Sequence, residues 1–215
     1  MKQTAFITGA GGALGHALSL KLAETHQHIV LHDANLSLLE PVYDAIEAAG
    51  QGQPALFPLD FRQAGANEFN QLAQALEENY AQIDTLVLNA ASLPAFTPLA
   101  HFDPTQWYEV LQINLNAHFH ILQATLPLLK SGAAVIAISD EAIAQPKAYY
   151  GAYAVAKAGL EQLIRLLSSE RDDLTCRIVR LPPFQSDLRQ RLFPGADNTR
   201  LPSAKEMAQR VLDHL

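Results

Sequence analysis

Residues 4–18 read TAFITGAGGALGHAL: a short apolar, β-branched run, then glycines at 9, 12 and 15, then the start of a helical pattern. Glycines between a strand and a helix permit a tight turn and let the backbone approach a pyrophosphate. The N-terminus of the following helix adds free N–H groups and partial positive charge. The segment is therefore expected to be the dinucleotide cradle of a βαβ unit. The next strand candidate, HIVLH at 28–32, runs into Asp33, about twenty residues beyond the glycines. A carboxylate there can accept hydrogen bonds from the adenosine ribose. A 2′-phosphate ~4 Å away would be repelled by roughly 4 kcal/mol at an effective dielectric near 20, and Ala34 offers no compensating charge. NAD is the expected cofactor, with NADP disfavoured. The competing role for Asp33 is that of N-cap for the segment starting at Asn35.

Four more runs read as strands: ALFPL at 55–59, TLVLN at 85–89, AAVIAIS at 133–139 and TCRIVR at 175–180. Helical patterns separate them. Phe69, Leu72, Ala73, Leu76 and Tyr80 recur at helical spacing, and so do Trp107, Val110, Leu111, Ile121 and Thr125. Strands alternating with helices predict an α/β fold: a Rossmann-type doubly wound parallel sheet of about six strands, helices on both faces, in one domain over residues 1–215. Two irregular stretches, 89–104 and 181–203, follow the carboxyl ends of strands, where open α/β sheets bind ligands. They are the expected walls of a substrate pocket.

Composition narrows the partners. The 215 residues carry a net charge of −7 with no basic block, which argues against nucleic acid or an anionic membrane and leaves a small molecule. No apolar run approaches ~18 residues. Met1 and Lys2 lead at once into the first strand with no room for a signal peptide, so a cytoplasmic location is expected. Cys176 is the single cysteine, excluding an intrachain disulfide and a cysteine metal cluster. His118 and His120, two apart on a helix, face different ways, and His32 and His101 read as surface groups. No metal site is expected.

Tyr153 and Lys157 lie four apart in GAYAVAKAGLEQL, about one helical turn, so phenol and ammonium share a face. A cation beside a phenol lowers its pKa. A proton donor working near neutrality needs roughly 3 kcal/mol of such help against the ordinary value of ~10. Tyr149 and Tyr150 have no lysine at that spacing. Asn114 falls between Leu111 and Ala117 on the apolar stripe of its helix. It is expected to be buried, and a buried amide without a partner costs about 1–3 kcal/mol.

These residues together resemble the short-chain dehydrogenase/reductase family over nearly the whole chain. The glycine loop fits the TGxxGxxG variant through Thr8, Gly9, Gly12 and Gly15. Asp60-Phe61 follows the third strand where the family's aspartate touches adenine. LNAA at 88–91 resembles Asn-Asn-Ala-Gly with Asn89 retained, Asn114 in LQINLNAHF matches the helix asparagine, and Tyr153 with Lys157 matches the active-site pair. The resemblance implies hydride transfer between NAD(H) and a small carbonyl or alcohol. The implied catalytic residues are Asn114, Asp140, Tyr153 and Lys157. The implied cofactor contacts are Gly9, Gly12, Leu14, Gly15, Asp33, Asp60, Phe61, Asn89, Ala90, Tyr153, Lys157, Pro183 and Ser186. It also implies a water linking Asn114 to Lys157 in a proton relay.

The chain departs from the family in several places. Ala13 stands at the usual second glycine, and Phe184 replaces the glycine of the Pro-Gly after the sixth strand. Asp140 stands thirteen residues before Tyr153, where the family has a serine that donates to the substrate oxygen. An ionised aspartate cannot donate and would raise the tyrosine pKa. Ser139 points to the other face of its strand. Either Asp140 is protonated when substrate binds, or it reads a donor on the substrate, or the protein is a catalytically impaired dinucleotide-binding or regulatory protein. A lyase or epimerase using bound NAD is a third reading. Leu93, Phe96, Tyr149, Tyr150, Phe184, Leu188 and Phe193 would make a largely apolar pocket. The sequence ends before the family's seventh strand, so a homodimer is expected, through helices at about 104–130 and 149–171 with Phe119, Leu126, Leu163 and Leu167 available.

Overall fold

The computed structural model describes residues 3–214. Six strands form one sheet: β1 Thr4–Thr8, β2 His28–Asp33, β3 Gln53–Pro58, β4 Ile83–Leu88, β5 Leu129–Asp140 and β6 Thr175–Leu181. Their order is β3-β2-β1-β4-β5-β6 and every pairing is parallel. The chain leaves β1 in one direction to β2 and returns on its other side with β4. The crevice beyond the carboxyl ends of β1 and β4 is thus the topological switch point, the ligand position of such sheets.

Helices cover both faces. On one side lie α1 Ala13–Ala23, α2 Leu36–Ala49 and α8 Ala204–Leu212, whose Leu18, Val42 and Val211 pack with Ile7 and Ile29. On the other lie α3 Ala66–Asn79, α5 Ala117–Thr125 and α6 Gly151–Glu170, whose Leu72, Ile121 and Leu160 pack with Phe6 and Leu86. Neighbouring residues of β1 therefore serve opposite cores, as the period of two requires. Of two shorter helices, α4 Pro104–Leu111 packs against α6 and α7 Asp187–Leu192 lines the crevice.

All six expected strands form. β5 starts four residues ahead of its apolar run because Lys130 pairs with the buried Asp84, which also accepts from the Thr4 N–H at 2.8 Å. The pattern running from Trp107 to Thr125 is not one continuous helix. Residues Gln112–Asn116 form a single π turn between α4 and α5. The apolar positions that mark the pattern pass from Leu111 to Ile121, so they do not register the extra residue between them. His32 is not a surface group. It is 2% exposed, stacks on Phe61 with ring centroids 4.1 Å apart, and bonds to the Leu59 carbonyl through Nε2 at 3.0 Å. His101 is exposed as expected. Among the described residues no helix is long and apolar enough to cross a membrane, and no group of His, Cys, Asp or Glu is placed to hold a metal ion.

Candidate active site

A cleft of about 1160 Å³ opens at the switch point. Every residue expected to touch cofactor or substrate chemistry lines it, with the single exception of Asn114. Gly9 sits at φ +67°, and a Cβ there would come within 2.8 Å of the Ala90 backbone, so only glycine fits. Asn89 braces the same turn, its side-chain amide donating to the carbonyls of Thr8 at 3.1 Å and Gly9 at 3.0 Å. The Thr8 hydroxyl completes the latch. It donates to the Val87 carbonyl and accepts from the backbone N–H groups of Asn89 and Ala90.

Asp33 does more than end β2. Its Oδ2 accepts the Gly11 N–H at 2.9 Å and its Oδ1 the Ala34 N–H at 2.7 Å, while Asn35 takes the N-cap position of α2. Gly11, which the spacing of 9, 12 and 15 passes over, is required too: a Cβ there would lie 2.6 Å from the Leu38 carbonyl oxygen. Gly12 is the N-cap of α1 and supplies no side chain to its first turn, so those amides are left for a phosphate, with Leu14 and Gly15 behind them. The residues present therefore fit a dinucleotide. Asp60 holds Arg62 through its backbone and guanidinium, and the Phe61 ring is buried beneath the cleft between His32 and Phe69. At the other end Pro183 lines the wall, and the Ser186 hydroxyl is occupied as N-cap of α7, accepting from the Arg189 N–H at 3.1 Å.

Tyr153 and Lys157 rise from α6 into this cleft, 6% and 2% exposed. The Lys157 ammonium lies 5.9 Å from the tyrosine ring centre and donates to the Ile138 carbonyl at 2.9 Å. Burial lowers the lysine pKa to about 8, against the pull of Asp140 and Glu161. The expected lowering of the tyrosine is not realised. Burial pushes the Tyr153 phenol above its ordinary value, and the Asp140 carboxylate, at 3.5 Å from the hydroxyl, pushes it further. Asp140 lies where the sequence places it. Its Oδ1 caps the following turn by accepting the Ala142 N–H at 2.7 Å. Ser139 points away, donating to Glu161 at 2.8 Å.

Asn114 is fully buried, as its place on the apolar stripe requires, and its partners are backbone groups. Oδ1 accepts the Ser92 N–H at 3.0 Å, and Nδ2 donates to the carbonyls of Ser92 and Val110, both at 2.8 Å. The side chain thus clamps the π turn to the loop after β4. Beyond Asp140 the cleft is walled by Leu93, Phe96, Tyr150 and Phe193, with the Phe96 ring tilted against Tyr150 and edge-on to Phe193. Tyr149, at φ +74°, occupies a backbone conformation that costs a non-glycine residue strain.

One feature escaped sequence reasoning although its spacing signals it. Glu161 lies four residues after Lys157 and is 3% exposed. It accepts from Ser139, from Arg165 at 2.8 Å and from Arg180 Nε at 2.8 Å. Burial pushes its pKa up, but these hydrogen bonds outweigh burial and hold the carboxyl below its ordinary value.

A family model described as short chain dehydrogenase matches residues 3–196. The chain belongs to the short-chain dehydrogenase family. The uncharacterized oxidoreductase YciK of Escherichia coli K12 is 30% identical over 198 residues, covering 91% of this chain and 79% of that protein. The short chain dehydrogenase mpl6 of Monascus purpureus is 29% identical over 130 residues, and the match spans only 44% of its length. A short chain dehydrogenase structure from Shigella flexneri 2a, complexed with NADP, is 28% identical with a TM-score of 0.92, covering 98% of this chain and 89% of that one. As a short-chain dehydrogenase the chain is a member of an oxidoreductase family and has a Rossmann-type fold.

Proposed function

We propose that the protein transfers hydride between NAD(H) and a small substrate at a polarised carbon–heteroatom bond, the carbonyl/alcohol pair in the family's general form, with Tyr153 exchanging the proton. The observation that carries this reading is that the Tyr153 hydroxyl, the Lys157 ammonium and the glycine cradle line one cleft. The bound dinucleotide would supply hydride or accept it. Gly9, Gly11, Gly12 and the first turn of α1 would hold its pyrophosphate, and Asp33 its adenosine ribose. Asp60 and Ala90 line the same wall.

The preference for NAD rests on Asp33. The Shigella relative is complexed with NADP, but here a 2′-phosphate would meet a carboxylate. Arg62, a cation on that side of the cleft, is paired with Asp60 at 3.2 Å and Glu109 at 3.8 Å. Titration calorimetry with both oxidised cofactors tests it. NAD should bind at least tenfold more tightly, and Asp33→Ala should narrow that ratio while weakening both, because the Gly11 brace is lost. Tighter binding of NADP overturns the preference. We further propose a cytoplasmic location, and a homodimer that the apolar side chains exposed on α5 and α6 support.

A further inference from the structure

The reacting end of the cleft is built with one donor and one acceptor. A ketone oxygen gathers negative charge as hydride reaches its carbon and is stabilised by hydrogen-bond donors on both sides. Tyr153 can be one. The other flank is Asp140, whose two oxygens both act as acceptors, Oδ1 from the Ala142 N–H and Oδ2 from the Tyr153 hydroxyl. The adjacent hydroxyl, Ser139, is turned to the opposite face and committed to Glu161. A ketone between residues 140 and 153 would set its lone pairs against a carboxylate.

An imine fits where a ketone does not. Its nitrogen is basic enough to take a proton before hydride arrives, and it then presents an N–H donor and a positive charge, which are what Asp140 can accept and balance. We propose that the substrate's reacting bond is carbon–nitrogen, an imine on the oxidised side and an amine on the reduced side, with Asp140 selecting nitrogen over oxygen. This rests on the hydride-transfer reading above and names its substrate class. The atoms balance with reduced dinucleotide as the only reductant. The Tyr153 proton forms the N–H bond, and hydride forms the C–H bond. The C=N π pair becomes the nitrogen lone pair, and the tyrosine recovers its proton from solvent. The high hold of Tyr153 on its proton agrees with this, since an imine nitrogen competes for that proton far better than a ketone oxygen. The rest of the molecule carrying the bond is apolar, to match Leu93, Phe96, Tyr150 and Phe193.

The test is calorimetric binding to the NADH-loaded chain, which cannot react with either compound of a matched pair, aminotetralin and tetralol. Aminotetralin should bind at least tenfold more tightly. Asp140→Asn, which keeps the acceptor for Ala142, should abolish that advantage while leaving NADH affinity within threefold. Asp140→Ser should reverse the order and raise reduction of tetralone relative to dihydroisoquinoline. Tetralol binding as tightly as the amine, or an unchanged ratio in Asp140→Asn, overturns the inference and leaves the hydride-transfer reading standing. Failure of the wild-type chain to bind NADH at all overturns both.

Discussion

Tyr153 must release a proton, and everything immediately around it except Lys157 opposes the release. Burial and the Asp140 carboxylate hold the phenol protonated, while Lys157, lowered to about 8, is poised to pass a proton at neutral pH. The hydroxyl should therefore act on substrate alone. Tyr153→Phe should cut turnover by at least a thousandfold and leave dinucleotide affinity within threefold, whereas Lys157→Ala should damage both; steady-state kinetics with calorimetry separate the two. The pair itself was legible in the sequence because i and i+4 share a helix face. Its electrostatics were not, because burial depth and the 3.5 Å approach of Asp140 are properties of the packed chain. His32 shows the same limit. Its neighbours Ile29, Val30 and Leu31 mark a buried strand, yet a histidine at such a strand's end reads as exposed until Phe61 is seen to stack on it.

Among the elements, the segment from α4 to α5 shows how a local irregularity positions chemistry at a distance. The π turn at Gln112–Asn116 turns Asn114 inward, and its amide fastens the loop leaving β4, which carries Asn89 and Ala90 into the cofactor wall. Asn114→Ala would leave the half-buried Ser92 N–H and C=O without their side-chain partner, at about 1–3 kcal/mol for each group left unmade. Urea unfolding should show a loss of about 3 kcal/mol, with dinucleotide affinity falling in the folded protein. An unchanged midpoint would mean that the clamp contributes nothing. Apolar spacing located the asparagine and its burial. The π turn could not be read from it, since the marked apolar positions pass from Leu111 to Ile121 and skip the turn.

At the scale of the whole molecule, two histidines buried neutral make the fold sensitive to acid. Burial lowers His118 to about 3, with Lys157 adding to the effect, and burial lowers His32 to about 4. In the unfolded chain both titrate near ~6.5, so the unfolded state binds more protons below that pH. Their contribution is whole above ~6.5 and is lost as pH falls toward about 4 for His32 and about 3 for His118, at roughly 1.4 kcal/mol per pH unit for each. Chemical unfolding between pH 7 and pH 4.5 should show this slope. His118→Phe, if it folds, and His32→Phe should each flatten it by about half. A slope unchanged in both would assign the acid sensitivity to other groups.

Assembly is the last property at this scale. Of the four residues expected at a helical contact, Leu167 is 6% exposed and belongs to the subunit's own core, and Leu126 and Leu163 are partly buried against it. Phe119 remains available at 46%, joined by Val155 at 51% and Leu166 at 50% on α6. Val155 and Leu166 are eleven residues apart, three helical turns, and so lie on one face of that helix. A two-fold contact that pairs this face with its copy would cover both, and α6 also carries Tyr153 and Lys157, so the contact would stiffen the helix that presents the chemistry. Light scattering at micromolar concentration should give twice the chain mass. Leu166→Glu, which places a charge on that face away from the cleft, should give the single chain mass with lower turnover but a folded circular-dichroism spectrum. A wild-type monomer, or a dimer untouched by Leu166→Glu, would remove α6 from the interface.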